Sequence, residues 1–558
     1  MVKWPNGQAG EMARWPERKK MTKRTSDTRR TWPLGHLAIW LASLLLVNVA
    51  PAHAQTPKKG GILNIAVVAE PPNYDCHANS TFGVSHPVTP HYSLLLKYTG
   101  DWKSMKIEGD LAESWTVSPD GQTYTFKLHK GVKFHDGSTL TAADVKATYE
   151  RIANPPAGVI SPRKALYEDI GAIETPDDHT IVFKFKAINA SALDGFASPW
   201  NCNYSAAKLG ADPKSPESNI MGTGAFTFVQ HTKGQSWEGK RFDSYFRKDK
   251  PYLDGFKMFF VKSSNLATGL IGGQFDIELR GLTPSDRDQI LEKKKNDMVV
   301  LEGPWSASLM LTFNSKKKPF DDVRVRQALT MAMDRWANAE AMGKISLMKY
   351  VGGYTRPGYE FALPNSELEK LPGYARDINK AREEAKKLLK DAGVDTLKIN
   401  FLNRNVGQPY TAAGIFAVDQ WRRIGVETEH KQLETKLFFD ALGRGDFDIA
   451  MDFITDHGDD PNLQYVHVVS DAMNAPASYS KHSDKKVDEL FEKQKRAIDP
   501  VERKKLTNEF ERYTITQAHN IMLWWWQRIV VHNKKIKGWQ LTPSHYLGND
   551  LTEVWLDQ

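Results

Sequence analysis

Between Leu111 and Ile152 the chain reads LAESWTVSPDGQTYTFKLHKGVKFHDGSTLTAADVKATYERI. Trp115 and Val117 lead into an Asp120-Gly121 turn, and Tyr124, Phe126 and Leu128 alternate after it. Apolar residues at every second position around an Asp-Gly pair predict a β-hairpin. The period then changes. Thr141 stands where a helix N-cap belongs, Asp144 follows three residues on, and Val145, Tyr149 and Ile152 share one helical face. An N-cap oxygen and a carboxylate at N3 satisfy N–H groups that a helix start leaves free.

Strand and helix signals continue on both sides. GILNIAVV (Gly61–Val68) predicts a buried strand, turned by EPPN. Val325, Ala328, Leu329, Ala332 and Met333 have the spacing of an amphipathic helix. INKAREEAKKLLKDAGV (Ile378–Val394) predicts another, stopped at Gly393. Asp499, Pro500 and Glu502 open a third as N-cap, N1 and N3. LKINFLN and FDIAMDF lie between these helices and predict strands. Strands interleaved with helices point to α/β layers.

The 558 residues suffice for two to four domains of about 150 residues each. With 41% hydrophobic residues they can bury substantial cores. The formal charge is +8, but nine Lys/Arg and three Asp/Glu lie in residues 1–54, leaving 66 basic against 64 acidic residues elsewhere. A near-neutral body gives no reason to expect a nucleic-acid partner.

That N-terminal surplus has a layout. Met21–Trp32 is basic, Leu34–Ala50 is apolar, and Ala52–Ala54 (AHA) puts small residues at −3 and −1. This predicts a secretory signal peptide cleaved before Gln55, the competing reading being a membrane anchor. Met21 is an alternative start, and Arg29-Arg30 admits twin-arginine export beside the general route. No cysteine stands at the cleavage point, which argues against a lipid anchor. The predicted product is soluble and exported, most simply periplasmic. In that oxidising setting Cys76 and Cys202 have two readings, a disulfide or two separate buried thiols.

Catalytic motifs are missing. There is no G-x-S-x-G, no H-E-x-x-H and no Walker A loop. GTGAF (Gly222–Phe226) lacks the spacing of a dinucleotide fingerprint, and no C-x-x-C or histidine cluster gives zinc spacing. The chain therefore predicts no catalytic residue, metal or cofactor; a carboxylate pair in a secreted hydrolase is the reading from another class.

GDFDIAMDFITDHGDDPNLQ (Gly445–Gln464) holds six aspartates within fifteen residues. They do not follow the EF-hand pattern. Read with period two, Phe447, Ile449, Met451 and Phe453 share one strand face, and Asp446, Asp448, Ala450, Asp452 and Ile454 the other. Asp446 and Asp448 fall at the strand's solvated start. Asp459 and Asp460 precede Pro461 as turn residues. Asp456 lies just past the carboxyl end, where ligands sit in open α/β sheets. A carboxylate there suits an ammonium group.

Taken together, these segments resemble the extracellular solute-binding proteins, family 5, of ABC importers, the dipeptide- and oligopeptide-binding proteins. Leu111–Val145, GTGAF, Phe313–Arg335, Ala381–Val394, Gly445–Asn462 and Tyr479–Leu490 carry the resemblance in family order. It implies a two-lobed periplasmic-binding-protein type II fold with an extra subdomain inserted in lobe I. Lobe I would be residues 55–310 with a return at 525–558, the insertion about 86–221, and lobe II 311–524. The chain would cross near MLTFNS (Met310–Ser315) and MLWWWQ (Met522–Gln527). Such a protein closes on its ligand by a hinge and delivers it to an inner-membrane ABC permease, working as a monomer. In peptide binders an aspartate in this segment pairs with the ligand's ammonium. Asp456 matches best, and one extra residue before Pro461 keeps Asp459 as a second candidate. Arg404 is the candidate for the ligand's carboxylate or backbone, Trp305 and Trp526 for aromatic walls, and Cys76 and His77 for the loop after the first strand. Within the same fold, a metal chelate, an opine or a sugar-like solute is the alternative ligand.

Overall fold

The computed structural model describes residues 56–473, 475 and 477–558. The predicted signal peptide lies outside them. Strand β1 (Ile62–Val67) is followed by a four-stranded antiparallel sheet of β2 (Ala112–Val117), β3 (Thr123–Leu128), β4 (Ile170–Asp177) and β5 (Thr180–Phe185), ordered β2-β3-β5-β4. The β2–β3 hairpin pairs Trp115 with Phe126 and Val117 with Tyr124. A helix at Ala142–Ala153 follows, and the Asp144 carboxylate accepts the Thr141 N–H at 2.8 Å. Phe126, Tyr149, Phe183 and Phe196 form an aromatic core between this helix and the small sheet.

The chain then builds a larger sheet from β6 (Phe226–Thr232), β7 (Ser236–Arg241), β8 (Gly255–Phe260) and β9 (Ile277–Glu278). GTGAF marks its entry. A Cβ on Gly224 would lie 2.4 Å from the carbonyl carbon of His91, so only glycine lets the two backbones pass. After these come β10 (Met298–Phe313), β11 (Met348–Tyr350), β12 (Lys398–Arg404), β13 (Glu427–Leu433), β14 (Ile449–Thr455) and β15 (Asn520–Asn533). The eleven-stranded sheet runs β13-β12-β14-β10-β15-β9-β1-β8-β7-β6, with β11 paired to β15.

β10 and β15 are the long strands, and they serve both halves of this sheet. Met298–Pro304 pairs with Gln527–Asn533, and Ser308–Thr312 with Asn520–Trp525. The register shifts between Pro304 and Ser308, a few residues before the MLTFNS crossing read from the sequence. One core lies on each side. Leu63, Ile65, Trp237, Phe256 and Val530 belong to the first, and Leu309, Leu329, Phe401, Trp421, Met451 and Trp524 to the second. The helix around Leu329 ends at Met331, sooner than its apolar spacing suggests, because Asp334 caps a new helix at Arg335–Ile345 by accepting the Ala337 N–H.

Cys76 and Cys202 form a disulfide with Cα atoms 6.0 Å apart, which resolves the two readings left by the sequence. The bridge ties the loop after β1 to the chain leaving the small sheet. Among the described residues no helix is long and apolar enough to cross a membrane.

Burial also sets the response to acid. It lowers the pKa of ten histidines, His86, His91 and His519 to about 3 among them. Below about pH 6.5 these histidines protonate in the unfolded chain but not in the folded one, so stability falls as pH falls. Burial raises Asp194, Glu278, Asp452 and Glu511, which act in the opposite sense because they are protonated first when folded. Ten groups outnumber four. The denaturation midpoint in urea is expected to be lower at pH 5.0 than at pH 7.5, and a midpoint that is unchanged or rises would show that the carboxylates win.

Candidate ligand-binding cleft

Two sets of parallel strands aim their carboxyl ends at the register shift in the middle of the β10–β15 pair. β9 is parallel to β1 and antiparallel to β15, so it runs toward that register shift and ends before Arg280. β14 is antiparallel to β10 and pairs Ile449 with Phe313 and Thr455 with Ala307. It too ends at that register shift, with Asp456 next. β12 is parallel to β14 and ends at Arg404. The topology therefore collects Arg280, Arg404 and Asp456 at strand ends that face one cleft.

Asp456 is half-buried. The His457 N–H donates to Oδ1 at 2.6 Å, and the His457 ring Nδ1 lies 2.6 Å from the same oxygen. Burial alone would raise its pKa, but the His457 charge and hydrogen bonds outweigh burial and hold the carboxyl below the usual range. It is ionised at neutral pH. The Ser544 hydroxyl donates to its carbonyl at 3.0 Å and fixes the strand end.

The other aspartates of the cluster separate by environment. Asp446 is exposed beside Arg444. Asp448 is less solvated than its place at the strand start suggests, since it accepts the Asn400 N–H at 2.8 Å and faces Lys317. Asp452 is buried because β14 is a central strand; burial pushes its pKa to about 7 while Thr312 and the Phe453 N–H donate to it. Asp459 and Asp460 are more than turn residues. Asp459 forms a buried two-point pair with Arg356 at 2.8 and 2.6 Å and accepts from Ser306. Asp460 caps the helix at Pro461–Tyr465 and pairs with Arg503 at 2.7 Å. The Asp459 carboxylate is thus engaged within the protein, whereas Asp456 keeps a side chain 29% exposed.

Arg404 is half-buried and stacks 4.5 Å from the Tyr410 ring centroid and 5.3 Å from that of Phe439. Its guanidinium donates to the Thr435 hydroxyl at 3.3 Å. Trp305 and Trp526 are both buried and meet edge to face at 5.5 Å, and among the described residues neither indole N–H has a partner. The side chains of Cys76 and His77 are engaged elsewhere: the first is in the disulfide, and the His77 ring lies between the Cys202 carbonyl and Arg151 at 3.0 Å each.

Sequence reasoning missed Arg280, His545 and Tyr546. Arg280 lies over Phe82 and Trp305 at 5.1 and 5.2 Å, His545 packs on Trp305 at 5.2 Å, and Tyr546 packs on His545. The Arg280 signal was available: FDIELR ends a short strand, as FDIAMDFIT does. His545 and Tyr546 arrive from the C-terminal segment, and no local pattern announces them.

A family profile described as bacterial extracellular solute-binding proteins, family 5 Middle, matches residues 106–474. Di/tripeptide-binding protein 2 of Pseudomonas aeruginosa is 28% identical over 93% of this chain and 99% of its own length. The glutathione-binding protein GsiB of Pectobacterium atrosepticum is 33% identical over 52% of this chain and 54% of its own. The solved periplasmic binding protein DppA from Helicobacter pylori, in complex with the peptide STSA, superposes with a TM-score of 0.74 at 23% identity. That superposition covers 90% of this chain and 99% of the other. The likeness carries the two-lobed type II fold.

Proposed function

Because the chain belongs to the bacterial extracellular solute-binding proteins, family 5, we propose that it is the periplasmic component of an ABC importer and captures peptides between its two lobes. Asp456 takes the ligand's ammonium, Arg404 its carboxylate or backbone, and Trp305 and Trp526 line the walls. The observation that carries this reading is the ionised, half-exposed Asp456 together with side-chain donors that have no partner among the described residues: Nε of Arg280 and Arg404, and Nε1 of Trp305 and Trp526. Buried donors without acceptors are costly. The carbonyls and carboxylates of a peptide supply such acceptors. Export by a cleaved signal peptide, delivery to an inner-membrane permease and action as a monomer belong to the same proposal. So do the lobe bounds read from the sequence, 55–310 with the return at 525–558 and 311–524.

Ligand binding to the folded state raises the unfolding midpoint, and tryptophans at the crossing give a second readout. Peptides of two to five residues and glutathione are expected to raise the midpoint and change tryptophan fluorescence. Stabilisation by an opine or a metal chelate with no response to any peptide would sink the peptide reading.

A further inference from the structure

We propose that the cleft selects peptides carrying a second carboxylate, and that Arg280 is the specificity-determining residue that holds it. The inference rests on the peptide reading and adds to it a charge requirement. A peptide with neutral side chains brings one ammonium and one carboxylate, which Asp456 and Arg404 satisfy. The cleft holds more positive charge than that.

Arg280 pairs with no carboxylate among the described residues, and its guanidinium carbon lies 5.1 and 5.2 Å from the ring centroids of Phe82 and Trp305. The two rings hold the group in place, and its Nε–H has no acceptor among the described residues. A planar guanidinium so held suits a carboxylate through two parallel hydrogen bonds. Trp305, under Arg280, packs on His545 and His545 on Tyr546, and the charges of Arg280, Arg163 and Asp456 all act on Tyr546, as those of Arg280 and Arg404 do on Tyr410. Arg163 brings a third positive charge, bonded to the carbonyls of Cys76, His77 and Asn79 and stacked on Trp200.

The nearby negative charges do not cancel this surplus. Glu278 stands behind Arg280, but its oxygens accept the N–H groups of Arg280 and Gly281 at 2.9 and 2.6 Å. Behind it lies Arg528, a fully buried cation bonded to the carbonyls of Leu279, Arg280, Thr542 and Ser544. Asp452, on the Arg404 side, accepts from Thr312 and the Phe453 N–H. Asp456 is the one carboxylate of this group that remains half-exposed. A ligand with one ammonium and two carboxylates completes the set.

The test is calorimetric titration with acid–amide pairs that match in shape: Ala-Glu against Ala-Gln and Ala-Asp against Ala-Asn, each also as a tripeptide with one more alanine. The acid of each pair is expected to bind at least about tenfold tighter, the usual worth of a hydrogen-bonded charge. Arg280→Gln should bring each pair within about threefold while the amides keep their affinity, and Arg280→Lys should restore part of the preference. A matching denaturation midpoint confirms that each variant folds. Amides binding as tightly as acids would overturn this inference and leave the peptide reading standing. A preference that survives Arg280→Gln would overturn the role of Arg280. No binding by either member would overturn the peptide reading and this inference with it.

Discussion

Asparagine in place of Asp456 is expected to weaken peptide binding by about 2–5 kcal/mol, roughly 30- to 5,000-fold. The substitution keeps the shape and the His457 hydrogen bond but removes the charge. What remains is a ligand ammonium drawn out of water with no counter-ion, and that uncompensated charge is the larger part of the loss. Acetylating the peptide's amino group removes the other partner, and it should cost the wild-type protein a similar amount. The two changes should not add, because each destroys the same pair. Titration of free and acetylated peptide into both proteins closes the cycle. Equal affinity of the wild-type protein for the two peptides would take Asp456 out of this role.

Removing the Cys76–Cys202 disulfide should cost about 2–5 kcal/mol of stability. The bridge closes a span of 126 residues that contains the whole small sheet and its helix. A long closed loop restricts the unfolded chain strongly, so in the chain-entropy account this bridge stands near the upper end of the range. Its partners are already placed by other contacts. The Cys76 N–H donates to the Tyr204 hydroxyl at 2.9 Å, that hydroxyl donates to Asp75 at 3.0 Å, and Arg151 clasps Asp75 at 2.6 Å. The Cys76→Ala/Cys202→Ala protein is therefore expected to fold, with a lower urea midpoint. An unchanged midpoint would mean that this network alone holds the loop.

Local periodicity made much of the fold legible. The Trp115–Leu128 hairpin, the Asp144 box, the Asp499 cap and the strand ending before Asp456 each follow from residues close in sequence. What escaped is non-local. Asp459 and Asp460 look like turn residues because their partners, Arg356 and Arg503, lie 103 and 43 residues away. Asp452 shares a strand face with Asp446 and Asp448 in the sequence, and its burial follows only from β14 being a central strand, flanked by β10 and β12. The site divides the same way. Asp456 and Arg404 were visible as strand ends, whereas the wall of Arg280, His545 and Tyr546 is assembled from segments more than 250 residues apart.

The shared strands β10 and β15 have a consequence for how the molecule comes apart. Each half of the large sheet takes two of its inner strands from the same two continuous segments, Met298–Phe313 and Asn520–Asn533. Melting either half would release those segments and strip a backbone edge from the other, exposing N–H and C=O groups that had been paired. The halves are therefore not modular. Neither can be cut out, exchanged with that of a relative or left to unfold on its own without the strands its neighbour is built on.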